Sequence, residues 1–356
     1  MRHFSQRDRE RQRRKIQYVD RATAKCRRER LRQVAARRKP RNKLPALRIY
    51  APRTFNIEQK EVRSPLMAFL AELRSHFENP PGRTLLIDFS KTHSFVATGT
   101  LLFYAELTRL IEYSGGQVRL RCTRPANEKA SQVLELIGVY RLCEHPSHGK
   151  PNLDDVVHWR VARGHDVNNT LCAPAIEAFE GQLAEPLVDG ILGGLSEAMT
   201  NAVHHAYIDC RIDGLDYTQP RNDWWMFSQA RDGYLSVVFC DLGVGIPATL
   251  PVKQPLMFRT LERLGLHTSD AACIQEAIKD SRSRTGRSGR GHGLGNIIEV
   301  VEKIPRGVAF VFSNRGCYIL RSGVTSSFNF KESILGTLIF WRVPLAGAPS
   351  GGVKSD

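Results

Sequence analysis

Glu197 and Asn201 stand four residues apart in the stretch Leu195 to Tyr207, LSEAMTNAVHHAY. In a helix that spacing puts both side chains on one face. A carboxylate and a carboxamide are costly in a run otherwise rich in Ala, Leu, Val and Met, because buried polar groups need partners. Hydrated Mg²⁺, a hard cation that takes oxygen ligands, is an obvious partner. Three further pieces follow in order: Asp241-Leu-Gly243-Val-Gly245, then Gly289-Arg-Gly291-His-Gly293-Leu-Gly295-Asn, then Gly336-Thr337 at the head of GTLIFWRVPL. The interleaved glycines of the second piece free backbone N–H groups to form an anion nest. The helix expected to open at Leu294 turns its positive N-terminal end toward the same anion. Arg287, Arg290 and His292 lie among those glycines. Arg290, with Arg287 as the alternative, is placed to neutralise charge on a phosphate.

These residues need a scaffold. Asp241 follows YLSVVFC, an apolar run rich in β-branched and aromatic residues that predicts a buried strand. Gly243 and Gly245 allow the backbone to turn sharply after it. Upstream, Arg83-Thr-Leu-Leu-Ile-Asp-Phe reads as a half-buried strand, and Thr100 to Tyr113 carries apolar residues at helical spacing up to Gly115-Gly116. Gln117-Val-Arg-Leu-Arg-Cys is the next strand, and Ala130 to Ile137 a helix stopped at Gly138. Alternating strands and helices predict an α/β (α+β) class, with a parallel or mixed sheet under helical cover.

From Asp166 to Leu345 the four pieces, in this order, resemble the GHKL ATP-binding domain shared by gyrase and the histidine kinases. The resemblance implies an α/β sandwich that binds ATP with Mg²⁺. It puts Asn201 on the metal that bridges the triphosphate. It makes Glu197 the general base for a water or hydroxyl nucleophile, against a plain surface carboxylate. It has Asp241 accept a hydrogen bond from the adenine amino group, with Gly243 and Gly245 close to the base. Thr337 then contacts adenine through its hydroxyl, against an ordinary strand threonine. Gly289, Gly291, Gly293, Leu294 and Gly295 hold the phosphates, and Arg290 serves the γ-phosphate. Residues Ile246 to Ser288 become a mobile lid over the nucleotide. SEAMTNAVHHAY is most similar to the anti-sigma-factor serine kinases, whereas GRGHGLGNI is more similar to the histidine-kinase loop. No histidine ahead of this region sits in a long helical hairpin of the phosphotransfer kind.

Leu47 to Glu144, with its SFVATG turn, resembles the STAS domain of anti-sigma-factor antagonists. Such domains are the substrates of those kinases, and the resemblance makes Thr98, just before Gly99, the phosphoacceptor. Val96 and Ala97 replace the usual Asp-Ser there. The competing reading is that Thr98 caps the following helix.

The chain has 52 Lys and Arg against 36 Asp and Glu, a net +16. Met1 to Lys43 alone holds 18 against 4, so the remainder is nearly balanced. With few apolar residues, this arm is expected to be disordered or a lone helix that binds a polyanion, nucleic acid being the commonest. The alternative is a solubilising or partner-docking tail. It lacks the apolar core of a secretory signal. No apolar run reaches membrane-spanning length. The eight cysteines are scattered without CxxC pairs, and Cys210, Cys240 and Cys317 read as reduced thiols in or beside core elements of a cytoplasmic protein. His204 and His205, being adjacent, must face different ways; His205, four residues from Asn201, is expected to border the phosphate site, and each reads as structural rather than as a metal ligand. The expected organisation is a basic arm (1–43), a STAS-like domain (44–150), a GHKL domain (160–345) and a Gly/Ser-rich tail (346–356). Three functions fit it: an ATPase or Ser/Thr protein kinase, a nucleotide-gated interaction module, and a DNA-acting ATPase. The resemblance further implies a regulatory protein partner, STAS-containing or sigma-factor-like, and a homodimer.

Overall fold

A computed structural model describes residues 45–78, 84–147, 149–153, 156, 159–179, 181–183, 185–215, 222–284, 293–302 and 304–346. The basic arm lies outside the described residues, as does all of the tail except Ala346. The first half runs β1 (Leu47–Tyr50), β2 (Thr54–Phe55), α1 (Lys60–Glu78), β3 (Leu85–Asp88), β4 (Ser94–Phe95), α2 (Ala97–Tyr113), β5 (Leu120–Cys122), α3 (Glu128–Leu136) and α4 (Val139–Leu142). Strands β1, β3 and β5 form a parallel sheet in that order, with Leu47 opposite Leu85 and Leu85 opposite Leu120. Parallel pairing requires long crossovers, and α1 and α2 supply them. The Asn127 side chain caps α3 by accepting from the Ala130 N–H at 2.9 Å, which starts this helix at Glu128.

The second half contains β6 (Arg160–Gly164), α5 (Asn169–Glu177), α6 (Glu185–Asn201), β7 (Trp224–Arg231), β8 (Tyr234–Asp241), α7 (Ile246–Lys253), α8 (Pro255–Arg263), α9 (Asp270–Arg284), α10 (Gly293–Glu302), β9 (Val308–Ser313), β10 (Gly316–Arg321), β11 (Val324–Asn329) and β12 (Thr337–Pro344). Its seven strands pair antiparallel in the order β11-β10-β9-β12-β8-β7-β6. With a parallel and an antiparallel sheet under helices, the molecule is of the α/β class that the alternation predicts. The region expected as a lid, Ile246 to Ser288, carries α7, α8 and α9 with a non-helical connection at 264–269, and residues 285–288 lie outside the described residues. Among the described residues no helix is long and apolar enough to cross a membrane.

Side chains alternate across a strand, and both phases of β7 and β8 are bulky. Trp224, Met226, Val237 and Phe239 therefore join one core with Ile176 of α5, Leu195 of α6 and Ile298 of α10. Trp225, Phe227, Val238 and Cys240 face the other way, into a core continuous with Ile49, Phe55, Leu66 and Phe103 of the first half. The expected boundary near residue 150 separates two sheets but not two cores. Tyr104 of α2 sits with its ring 5.7 Å from that of Phe227.

Charge reinforces that union. Glu106 of α2 is fully buried and faces Arg74 at 2.8 Å, Arg211 at 2.9 Å and Arg109 at 3.6 Å. Arg211 also pairs with Asp213 and donates to the Leu335 carbonyl at 3.1 Å. Burial alone would raise the Glu106 carboxyl, but Arg211, Arg74 and Arg109 hold it below the ordinary glutamate value. Arg163 of β6 forks onto both carboxylate oxygens of Glu112 at 2.8 Å each.

Candidate functional site

Glu197 and Asn201 occupy the last turn of α6, where the Asn201 amide nitrogen donates to Glu197 Oε1 at 3.3 Å. The four-residue spacing thus places them as expected. The helix then widens into a π-helical turn, Ala202–Ala206. Such turns carry one extra residue per turn and often mark functional sites. Here the turn brings the Ala206 carbonyl to the Val244 N–H at 2.7 Å. A Cβ on Gly243 would lie 2.0 Å from that carbonyl oxygen, so only glycine permits the contact. His205 is half-buried and His204 exposed, as adjacency requires.

Asp241 ends β8 and stands directly opposite Thr337, the first residue of β12. It is 6% exposed, and its Oδ1 accepts from the Gly243 N–H at 3.0 Å. Burial pushes its carboxyl up to about 7, against hydrogen bonds from Gly243 and Thr337 that favour the charged form. Gly336 has φ 153°, and a Cβ there would meet the Asp241 carbonyl oxygen at 2.3 Å. Glycine at 336 is what lets β12 start beside Asp241. Ser313 of β9 completes the bracket: its Oγ lies 3.1 Å from the Thr337 Oγ1 and accepts from the Ile246 N–H at 2.8 Å. Asn314 donates to the Val244 carbonyl at 2.9 Å. The turn after Asp241 is held from the π-helical side and the strand side together.

These elements enclose one cavity of about 170 Å³. Asn201, His205, Asp241, Gly245, Ser281 and Thr337 line it, between apolar walls that include Phe239, Ile246 and Leu250. An apolar slot with a buried hydrogen-bond acceptor at a strand end suits a flat base carrying an amino group. The Asn201 amide turns its nitrogen to Glu197, which leaves its oxygen for a hard cation. Among the described residues there is no group of three or more His, Cys, Asp or Glu that could hold a metal ion. Burial, with the charge of Lys253 second, lowers the His205 ring to about 4, so it is neutral at pH 7.

Arg290, Gly289 and Gly291, with Arg287 and His292, lie outside the described residues. Gly293, Leu294 and Gly295 form the first turn of α10. The buried Gly295 donates its N–H to Ser281 Oγ at 2.8 Å, which ties that helix start to the cavity wall.

Two expectations change. Thr98 is not the cap of α2: the N-cap is Val96, without a side-chain hydrogen bond. Thr98 is fully buried in the first turn, donating to Glu58 Oε1 at 2.9 Å, so this conformation does not present its hydroxyl to a phosphate donor. Cys210 is exposed and belongs to no core, because the chain leaves the π-helical turn into a surface loop there. Cys240 and Cys317 are buried free thiols as expected. Sequence reasoning missed Lys253, which also lines the cavity, because V-K-Q between prolines reads as plain surface. No protein-family model matches this chain, and no curated protein matches it.

Proposed function

We propose that this chain binds ATP with Mg²⁺ in the cavity between α6 and the end of β8, in the manner of the GHKL domain it resembles. The observation that carries this reading is that Asn201, Asp241 and Thr337, distant in sequence, line one cavity. Asp241 accepts the adenine amino hydrogen bond and Thr337 supports it. Asn201 would hold Mg²⁺ through its amide oxygen, and the metal would supply charge neutralisation to the phosphates. Glu197 takes the proton from a water or a hydroxyl group whose oxygen bonds to the γ-phosphorus as the bond to the β,γ-bridging oxygen breaks and ADP leaves. Arg290 and the glycines Gly289 to Gly295 neutralise charge on the phosphates. The activity is that of an ATPase or Ser/Thr protein kinase similar to the anti-sigma-factor kinases, acting with a regulatory protein partner. The Met1 to Lys43 arm binds nucleic acid, and the protein works as a cytoplasmic homodimer.

A second reading, a nucleotide-gated interaction module with little turnover, is favoured by Thr98. Its burial against Glu58 removes the in-chain phosphoacceptor that the kinase reading would use first.

Calorimetry with Mg-ATP tests the nucleotide site. Asn201→Ala and Asp241→Asn should each weaken binding by about 1.5–3 kcal/mol, the worth of a hydrogen bond to a charged group. Unchanged affinity in both variants would remove this reading.

A further inference from the structure

Lys253 is the last residue of α7, the helix that begins at Ile246 directly after the Asp241-Leu-Gly-Val-Gly turn. Among the described residues lining the cavity it is the one Lys or Arg. Lys253 is exposed as a residue, with only part of its side chain desolvated, and among the described residues it makes no ion pair within 4.0 Å. Burial brings its ammonium down to about 8, and the Glu197 charge works the other way. Its charge also reaches His205. Lys253 lines the same cavity as Asn201 and His205, next to the helix turn that carries Glu197. An exposed ammonium on a flexible stem at the cavity wall can turn onto an anion bound there. The neutral His205 ring next to it supplies no competing charge.

We propose that Lys253 is a specificity-determining residue that contacts the terminal phosphate and lets the site distinguish a nucleoside triphosphate from a diphosphate. The inference rests on the nucleotide reading above. It adds a second source of positive charge, on α7, to the glycine-loop arginines. Because Lys253 and the Asp241 turn belong to one helix and its N-terminal lead, base contact and terminal-phosphate contact are mechanically joined. A diphosphate satisfies the first and leaves the second open.

The test measures Mg-ATP and Mg-ADP affinity by calorimetry for the full chain, Lys253→Met and Lys253→Arg, with thermal unfolding of each as the folding control. Lys253→Met should weaken ATP about tenfold or more and leave ADP within about twofold, the loss expected for one charge-assisted hydrogen bond. Lys253→Arg should restore most of the ATP affinity. Equal losses for ATP and ADP, or no loss for either, overturn the assignment of Lys253 while leaving the nucleotide site in place. A wild-type chain that binds neither nucleotide overturns the site and this inference together. If Lys253→Met unfolds at a lower temperature, the ATP-to-ADP affinity ratio of Lys253→Arg decides, since that variant keeps the charge: a ratio near the wild-type value upholds the assignment. A ratio near one overturns it.

Discussion

Asp241 and Thr337 face each other across the β8–β12 ladder, at the one end of the sheet where both strands reach the cavity. The pairing places a buried carboxyl beside a strand-end hydroxyl, with Ser313 Oγ 3.1 Å from that hydroxyl on the next strand. Burial holds the carboxyl at about 7, so at neutral pH it is divided between its protonated and charged forms. A ligand amino group that donates to it favours the charged form. ATP binding near pH 7 should therefore release protons, and affinity should rise as pH rises through about 7. Calorimetry in buffers of different ionisation enthalpy would measure the release. Asp241→Asn should abolish it, and an unchanged release in that variant would assign the proton to another group.

The same carboxyl affects stability without ligand. Its folded value is about 7, and its unfolded value is the ordinary 3.8. Between those values the native state keeps a proton that the unfolded chain has lost. Its contribution is thus full below about pH 4 and is lost as pH rises to about 7. Denaturant titrations should show wild type losing stability relative to Asp241→Asn across that window. A difference that stays flat with pH would show that the carboxyl is solvated in solution.

Gly243→Ala should damage the site more than an ordinary surface change. The new methyl would lie 2.0 Å from the Ala206 carbonyl oxygen, so either the π-helical turn or the Asp241 turn must move. Overpacking of this kind costs about 1–3 kcal/mol. Ligand affinity should fall further than stability alone explains, because Asn201 and Asp241 separate. A crystal structure of the variant with both turns undisturbed would contradict the close approach.

Much of the site is legible in the sequence because its residues sit where regular patterns end. Asp241 closes an apolar strand, and the glycines at 243, 245 and 336 mark backbone that no side chain can share. Glu197 and Asn201 are read from helical spacing alone. The π-helical turn is not legible: AVHHA suits an α-helix equally well, and what selects the wider turn is a tertiary contact between Ala206 and Val244. Lys253 is hidden for a similar reason, since only the packing of α7 turns it into the cavity. Bulky residues on both phases of WWMF and YLSVVFC reveal that each face is covered. They do not reveal that α2 and its neighbours, rather than a partner, cover the second one. Strand ends shift by two or three residues, as at Leu85 and Leu120, because ladder length depends on partners remote in sequence.

The shared core should unfold as one. Glu106 is fully buried among Arg74, Arg109 and Arg211, and these groups join α1, α2 and the loop leaving the π-helical turn. Removing one partner leaves an uncompensated buried charge, at a cost of about 3–5 kcal/mol. Glu106→Gln or Arg211→Met should lower the guanidinium midpoint accordingly, with fluorescence and circular dichroism still reporting a single transition. Two separated transitions in the wild type would mean that the halves are independent domains.

The last test separates a kinase from a gated binder. Glu197 lies one helical turn from Asn201 and accepts from its amide nitrogen at 3.3 Å, and the proposed function makes it the general base. A general base acts mainly in the transition state, so Glu197→Ala should keep Mg-ATP affinity within a few-fold while turnover falls by about 10²–10⁴. Thr98, buried and hydrogen-bonded to Glu58, should gain no phosphate in the wild type. Intact-mass measurement after incubation with Mg-ATP, alone and with a candidate protein partner, gives the decision. Added phosphate on the partner, lost in Glu197→Ala, establishes the kinase. Phosphate on neither protein, with ATP consumed slowly, leaves the gated ATPase. Phosphate on Thr98 itself would show that α2 detaches from Glu58 in solution.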